Sequence, residues 1–171
     1  MWFLLRKSIP QKRNLNSAVY SNVRDREMIR IGTVEEAYEV FLNVPELDQY
    51  LSLQEMKERL NSEHLVIVAE VDQILVGFKI GYLESNVEFY SWLGGVVPKY
   101  RQAGVAQELL LFQEHWAKKL GIKNISVKSM NRFPSMLRML IKNGYKIESV
   151  EFYGDSEKER INFVKPLEKN L

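Results

Sequence analysis

The sequence predicts an α/β fold with a mixed, mostly antiparallel central sheet flanked by helices. Two observations support this fold class. Strand-type and helix-type patterns follow one another in the order β-α-α-β-β-β-α-β-α-β-β, and short turns join three consecutive strands. The chain has 171 residues, of which 46% are hydrophobic, so it is long enough to form one domain with a sizeable core.

The first half of the chain predicts a strand, two helices and a hairpin. Thr33 and Glu36 stand three residues apart, which is the spacing of a capping box at the start of a helix. Asp72-Gln73 separates two alternating, β-branched runs and predicts the turn of a hairpin. The expected elements are a strand at 28–31, helices from Thr33 to about Leu42 and at 54–60, and strands at 64–71 and 74–83.

The centre of the chain changes from a strand pattern to a helix pattern. Residues 87–97 are mostly apolar, aromatic or β-branched, as in a buried strand, and Pro98 ends this run. The helix that follows is predicted to bury one face and to end at Gly121. Its expected buried residues are Val105, Leu109, Phe112, Trp116 and Leu120.

The last part of the chain predicts three strands and one helix. Residues 122–128 suit a strand that follows the long helix. Pro134 can occupy the first position of the next helix, and Gly144 can close it. Residues 145–152 and 160–167 predict two more strands, which a polar loop joins.

Composition excludes several classes of function. The chain has no cysteine, so it has no disulfide, no thiolate nucleophile and no cysteine zinc site. No run approaches the ~18 apolar residues of a membrane-spanning helix, and residues 1–5 are too short for a signal-peptide core. We therefore expect a cytoplasmic protein without a membrane partner. The isolated His64 and His115 predict no metal site.

The first 27 residues have a net charge of +4, which exceeds that of the whole chain. They hold six basic residues against two acidic ones, whereas the whole chain has a net charge of +2. The remainder is therefore slightly acidic and gives no basic field for nucleic acid. We expect residues 1–27 to be a basic, poorly ordered extension and residues 28–171 to be the domain.

The join between the central strand and the long helix suits an anionic ligand. Ala103, Gly104 and Ala106 are small, so the backbone there can approach a ligand closely. The first N–H groups of a helix have no partner within it, and such a helix end binds phosphate readily. The stretch matches neither G-x-G-x-x-G nor G-x-x-x-x-G-K-[ST], so neither dinucleotide-type phosphate motif is present.

The segment Arg101-x-x-Gly104-x-Ala106 resembles the pyrophosphate loop of the GNAT (Gcn5-related) acyltransferases, whose signature is [RQ]-x-x-G-x-[GA]. The order of elements over about 28–167 is similar to that family as well. Further support comes from the hairpin strand at 77–82, the central strand, and 131–145, which ends in a stretch similar to Lys-x-Gly-Phe. The resemblance implies a small, single-domain, bacterial-type N-acetyltransferase that moves an acetyl group from acetyl-CoA directly to a primary amine.

The resemblance also implies which residues hold the acetyl-CoA. Backbone N–H groups of the loop and helix start would bind the diphosphate, and main-chain groups of Val96 and Val97 would hold the pantetheine arm and polarise the thioester. Asn131 resembles the family asparagine that hydrogen-bonds this arm, although a turn or cap residue is an equally good interpretation. The predicted cofactor-binding residues are Val96, Val97, Arg101, Gln102, Ala103, Gly104, Val105, Ala106, Gln107 and Asn131.

Glu88 is the candidate base for the acceptor amine. In an extended strand Glu88, Tyr90, Trp92 and Gly94 share one face, unless Gly94-Gly95 forms a bulge that reverses the alternation. A carboxylate beside aromatic rings is partly desolvated, which raises its pKa toward a useful value. A solvated glutamate just after a turn is the alternative.

The acid that would protonate the departing thiolate has no clear candidate. The family often places a tyrosine four residues before the helix-ending glycine, and here that residue is Leu140. Tyr145 is a weak candidate for the acid; Ser135, water, or departure of the thiolate without an acid are the alternatives. The same leucine supports a competing hypothesis, a coenzyme A-binding sensor or interaction domain without catalysis.

Tyr82, Tyr90 and Trp92 are candidates for the wall of an acceptor pocket. Aromatic faces suit an ammonium group or an apolar side chain. Aromatic strand residues also commonly belong to the core, which is the alternative interpretation. The acceptor is expected to be a small-molecule or peptide amine, and a homodimer is left open.

Overall fold

The computed structural model describes residues 27–167, which form one seven-stranded sheet and four α-helices. The strands are β1 (Glu27–Ile31), β2 (His64–Val71), β3 (Ile74–Ser85), β4 (Glu88–Val96), β5 (Asn124–Met130), β6 (Lys146–Glu151) and β7 (Arg160–Pro166). The helices are α1 (Val34–Phe41), α2 (Leu53–Arg59), α3 (Val105–Lys119) and α4 (Pro134–Lys142). These elements confirm the predicted α/β fold and its order.

The strands lie in the order β1-β2-β3-β4-β5-β7-β6. Neighbouring strands are antiparallel except for β4 and β5, which are parallel. The long helix α3 connects these two strands, because parallel neighbours need a crossover connection. The single parallel pair lies in the middle of the sheet.

Both faces of the sheet are covered. One apolar cluster lies under α3 and α4 and includes Phe89 and Leu140. The other lies under α1 and α2 and includes Phe41 and Phe78. Each of these four side chains is fully buried, which contributes roughly 1.5–3 kcal/mol per side chain to stability.

The helix ends follow from local sequence signals. The Thr33 hydroxyl accepts the Glu36 N–H, and the Glu36 carboxylate accepts the Thr33 N–H, which confirms the predicted capping box. Ser52 and Glu55 form a second capping box at the start of α2, a signal that the sequence contained and the prediction did not use. Short 3-10 turns at Pro45–Leu47 and Pro98–Tyr100 follow α1 and β4.

The buried face of α3 differs from the predicted one. Leu120 is 48% exposed, and Phe112 and Trp116 are only half-buried. The predicted stripe is confirmed at Val105 and Leu109, which are buried, and Phe112 and Trp116 pack against the same cluster. It was wrong at Leu120, and it did not include the buried polar residues Gln113 and Glu114. The buried residues of α3 are Val105, Leu109, Leu110, Gln113, Glu114 and Ala117.

β4 and β5 separate partway along their length. Glu88–Ser91 pairs with Asn124–Val127, and beyond Ser91 the two strands no longer pair. The β3–β4 register shifts at the same level, between Ile80 and Gly81, and leaves Trp92 without an opposite residue. A bulge at Trp92 therefore lies where the gap between the two strands begins.

This bulge reverses the alternation of side chains along β4. Tyr90 and Trp92 lie on the α1–α2 face, where both contact Tyr82. A Cβ atom on Gly95 would meet Val44 of that same face. The prediction that Gly94 shares a face with Glu88, Tyr90 and Trp92 was therefore wrong, and the bulge is not at Gly94-Gly95.

Residues 1–26 and 168–171 lie outside the described residues, and the predicted basic extension at 1–27 falls almost entirely among them. Glu27 opens β1, one residue before the predicted strand. In the described part of the chain, no helix is long and apolar enough to cross a membrane. Residues 27–167 also contain no group of three metal-ligating side chains.

Candidate functional site

The main chain of β4 is open on the side that faces β5. The Val97 N–H donates to the Val76 carbonyl over 2.9 Å, so Val96 and Gly77 face each other as a pair without mutual hydrogen bonds. The N–H groups of Val96 and, two residues earlier, Gly94 therefore point away from β3 and into the gap. An extended ligand arm that lies in the gap can pair with them.

Val97 does not have the free main-chain N–H that its predicted role requires. Its N–H is taken by Val76, and its carbonyl accepts the Tyr100 N–H at 2.9 Å. The N–H that Val97 was predicted to offer is therefore taken, because this residue still belongs to the ladder with β3, and a role for its carbonyl stays a prediction. Gly94, which the sequence analysis did not assign to the site, provides the open N–H instead.

The loop between β4 and α3 presents a row of unpaired donors. Gln102 and Gly104 have left-handed backbone conformations, with φ of 62° and 98°. None of the six N–H groups from Gln102 to Gln107 donates a hydrogen bond to another described residue. With the positive end of the α3 dipole behind them, these donors form a cradle for a phosphate-type anion. This loop holds all of the predicted residues from Gln102 to Gln107 together.

Arg101 is committed to the protein rather than free for a ligand. Its Nε donates to the Val96 carbonyl at 2.9 Å, and its two Nη atoms contact both Glu46 carboxylate oxygens at 2.5 and 2.7 Å. The guanidinium hydrogen bonds lower the pKa of Glu46 to about 2. Arg101 therefore shapes the loop, and its place among the cofactor-binding residues stays a prediction.

A second ion pair attaches the α1–α2 connection to the other side of the gap. Asp48 Oδ2 contacts Arg132 Nη1 at 2.8 Å, next to the end of β5. The neighbouring Asn131 donates from Nδ2 to the Ser156 carbonyl at 2.9 Å. Its Oδ1 atom has no partner among the described residues, so a contact of Asn131 with a ligand stays a prediction.

Glu88 lies at the start of β4, on the same face as Tyr90 and Trp92. Its side chain is half-buried and has no hydrogen-bond partner in the described part of the chain. Trp92, at the bulge, follows Glu88 by four residues, which corresponds to about 13 Å at ~3.3 Å per residue of strand. Glu88 stays a candidate base, but one that reaches the bulge only through water.

Tyr145 lies in the core rather than at the gap. Burial, with the Glu114 carboxylate nearby, raises the pKa of its phenol far above the ordinary value. Lys165 lies 5.4 Å over the ring and bonds to Glu114 at 2.6 Å. This position gives no support to Tyr145 as the acid, because a higher pKa opposes release of its proton.

Lys79 is a buried charge that the sequence analysis did not single out. It lies on β3 opposite Gly94, is 5% exposed, and has no ion pair or hydrogen bond with a described residue. Burial lowers the pKa of its ammonium to about 8, against the opposing effect of Glu114. Because Gly94 has no side chain, the Lys79 stem lies against the strand next to the gap.

The three aromatic residues predicted to form an acceptor wall do lie together. The rings of Tyr82 and Tyr90 meet edge-to-face at 5.5 Å, and Tyr82 and Trp92 lie 6.3 Å apart. The Arg59 guanidinium covers them, 4.8 Å from the Trp92 ring centre. Arg59 comes from the end of α2, and the sequence analysis missed it.

Comparison with known families gives one match. The acetyltransferase (GNAT) family matches residues 31–145, which is more than half of the chain. This range runs from the end of β1 to Tyr145, the residue before β6, and includes the loop with the free N–H groups. The chain matches no curated protein sequence.

Solved structures with the same fold include enzymes of different purposes. The ribosomal-protein-S18-alanine N-acetyltransferase of Escherichia coli is 13% identical with a TM-score of 0.72, over 84% of this chain and 96% of that one. An aminoglycoside 6'-N-acetyltransferase complexed with coenzyme A is 17% identical with a TM-score of 0.69, over 84% and 99%. An Elizabethkingia anophelis GNAT family acetyltransferase with acetyl-CoA bound is 18% identical with a TM-score of 0.68, again over 84% and 99%. At these identities the likeness concerns the fold.

Proposed function

Because the chain belongs to the GNAT acetyltransferase family, we propose that it transfers an acetyl group from acetyl-CoA to a primary amine. One observation carries this proposal. Two sets of free main-chain donors meet at the end of β4: the N–H groups of 102–107 in the loop and those of Gly94 and Val96 in the gap. A diphosphate suits the first set, and an arm containing amides and a thioester suits the second.

Acetyl-CoA fits these residues. The loop offers N–H donors to a diphosphate without any lysine or arginine side chain, and the gap is open on the β5 side. Similar structures hold coenzyme A or acetyl-CoA, which supports the choice of donor. When bound, acetyl-CoA supplies an acyl group activated as a thioester. The chain itself would bind and orient that group beside the bulge at Trp92.

The residues next to the bulge would stabilise the charge that develops in the reaction. As an amine nitrogen attacks, the acyl oxygen becomes negative, and the N–H groups of Gly94 or Val96 can donate to it. The proton of the amine would pass through water to Glu88. The chain has no cysteine, so the acetyl group would move directly to the amine rather than through a thiol of the protein.

A coenzyme A sensor without catalysis is the second candidate function. Leu140 favours it, since this residue is fully buried and cannot donate a proton. The sensor shares the loop and the gap with the enzyme and differs only in the absence of turnover. Binding of acetyl-CoA alone therefore does not separate the two functions.

The decisive experiment measures binding and turnover together. Calorimetry should detect acetyl-CoA binding, and release of free coenzyme A should be followed with a panel of amines, amino acids and peptides. We expect release with at least one class of acceptor, in excess of the rate without acceptor. Tight binding with no release across the panel would favour the sensor, and absence of binding would exclude both functions.

A further inference from the structure

The aromatic wall beside the bulge already carries a cation that belongs to the protein. Arg59 stacks 4.8 Å from the centre of the Trp92 ring and 5.9 Å from that of Tyr82, and its Nη2 lies 3.3 Å from the Tyr82 hydroxyl. The aromatic faces were predicted to bind an ammonium group of the acceptor. Arg59 fills that position, so the wall presents a guanidinium to the acceptor instead.

Arg59 differs from the structural arginines in having no carboxylate. Arg30, Arg101 and Arg132 each contact at least one carboxylate within 2.8 Å. Within residues 27–167, neither Arg59 nor Arg160 forms such a pair. Arg160 stacks 5.4 Å over the Tyr153 ring and lines a hollow of ≈ 260 Å³ with Met130, Tyr153 and Lys158.

The charges of Arg59 and Arg160 both affect the phenol of Tyr90. Burial raises the pKa of Tyr90 to about 12, and Tyr82 and Glu84 add to this effect. Arg59 and Arg160 act in the opposite direction on that pKa. Of the two, Arg59 is the one that contacts the wall itself, through the Trp92 and Tyr82 rings.

Arg59 is free to bind an anion there. Asp48 is paired with Arg132 and Asp155 with Lys158, and the carboxylates left without a cation among the described residues near the wall are Glu84 and Glu88. A guanidinium that lies over a ring still has N–H donors free at its outer edge, and their fork geometry suits bidentate binding of a carboxylate. A polycationic acceptor would meet repulsion at the same place.

We infer that the acceptor carries a carboxylate close to its amine and that Arg59 binds this carboxylate. The inference rests on the proposed acetyl transfer and names the acceptor class for that site. Two sources share this chemistry, a free amino acid and a peptide with an acidic residue near its N-terminus. Polycations such as aminoglycosides are excluded as preferred acceptors.

The kinetic test compares acceptors that differ only in charge. Each amino acid is assayed as the free acid and as the carboxamide. Each peptide is assayed with aspartate and with asparagine in the second position. An aminoglycoside is assayed for comparison. Wild-type protein should have a kcat/KM about 10- to 100-fold higher for the acid of a pair, as expected of one charged hydrogen-bonded contact. The pair with the higher kcat/KM shows whether the acceptor is a free amino acid or a peptide.

Variants of Arg59 connect the preference to this side chain. Arg59→Met should abolish the acid-to-amide ratio mainly through KM, and Arg59→Lys should retain part of it. Arg138→Met removes another arginine without a carboxylate partner, on α4, and should leave the ratio unchanged. An unchanged ratio in Arg59→Met, or a wild-type preference for the aminoglycoside, would overturn the inference and leave the acetyl transfer intact.

A binding test keeps the inference independent of turnover. Phenylacetate, phenylacetamide and benzylamine provide an anion, a neutral molecule and a cation of similar shape. Titration should quench tryptophan fluorescence with phenylacetate at the lowest concentration, and Trp92→Phe should remove the signal. If no amine is acetylated but phenylacetate still binds best and depends on Arg59, the proposed transfer fails and the anion site stands; equal binding of all three overturns the site.

Discussion

The phosphate loop and the aromatic wall lie on either side of the end of β4 and use opposite means of recognition. In the loop, the arginine is neutralised by Glu46 and the main-chain N–H groups are free. At the wall, Tyr82 and Tyr90 are opposite each other in the β3–β4 ladder, and Arg59 has no carboxylate partner among the described residues. Main-chain donors do not vary with sequence, whereas an arginine on a ring can be replaced in one step. We therefore expect the loop to bind acetyl-CoA, whose diphosphate does not change from one acceptor to another, and the wall to select the acceptor.

Glu88→Gln is the variant with the largest expected effect on the acceptor side. It keeps the size and polarity of the side chain but cannot accept a proton at the pH of the assay. A positioned base is typically worth about 10²–10⁴-fold, so turnover should fall by that range while the calorimetric affinity for acetyl-CoA is unchanged. Glu148→Gln, on exposed β6, is the matched control. Full activity of Glu88→Gln would remove this residue from the mechanism without affecting the assignment of the loop.

Lys79→Met tests how much the buried ammonium beside Gly94 costs in stability. The pKa of Lys79 falls from 10.5 when exposed to about 8 in the fold, so the unfolded chain binds more protons between these values. Wild-type stability should therefore rise as the pH increases from about 8 to 10.5. At neutral pH the variant should be more stable by about 3 kcal/mol, an upper value for this pKa difference.

Chemical denaturation of both proteins at several pH values measures this effect. The pH-dependent rise should disappear in Lys79→Met and persist in Lys119→Met, which removes an exposed lysine at the end of α3. A variant that is less stable than wild type at neutral pH would show that Lys79 has a compensating partner. The Lys79 ammonium would then be stabilised by that partner and would contribute to the stability of the fold.

The fold could be predicted because its signals are local. Thr33 and Glu36 fix the start of α1 within one turn, and Gly104 marks the strand-to-helix loop through its small size. Hydrophobic periodicity then separates strands from helices. Such signals need only neighbours in sequence, so one sequence is enough to detect them.

The side-chain geometry of the site could not be predicted in the same way. The pairing of Arg101 with Glu46 and the stacking of Arg59 on Trp92 join residues that are distant in sequence and meet only in the fold. The bulge at Trp92 has no sequence mark, because no glycine occupies it. An extra residue in one strand reverses every later side chain, which is why Gly94 was assigned to the wrong face.

Gly104→Ala tests the main-chain half of the contrast. Gly104 has φ of 98°, where an alanine costs about 1–3 kcal/mol, so the loop should lose its shape or the protein its stability. Affinity for acetyl-CoA should fall at least about tenfold by calorimetry. Gly121→Ala introduces a similar strain at φ of 76° beyond the far end of α3 and should leave the affinity unchanged. Equal losses in both variants would mean that the loop has no special role.

The smallest expected effect concerns the ion pair that distinguishes Arg101 from Arg59. Glu46 and Arg101 are partly exposed, so water screens the pair and we expect it to contribute less than about 1 kcal/mol to stability. The pH dependence of this contribution follows from the pKa of Glu46, which folding lowers from 4.5 to about 2. The contribution should be complete above pH 4.5 and disappear as the pH falls toward about 2. A double-mutant cycle of Glu46→Gln and Arg101→Gln, measured by denaturation at neutral pH and near pH 2, isolates the free energy of coupling between the two side chains. This coupling should be measurable at neutral pH and absent in acid.

The same ion pair also holds the loop. Glu46→Gln should therefore weaken acetyl-CoA binding, because it releases Arg101 from its position beside the loop. If Glu46→Gln instead strengthens acetyl-CoA binding, the Arg101 guanidinium that it frees must reach the diphosphate. Arg101 would then bind an anion of a ligand, as Arg59 is proposed to do, and the contrast between the two arginines would fail.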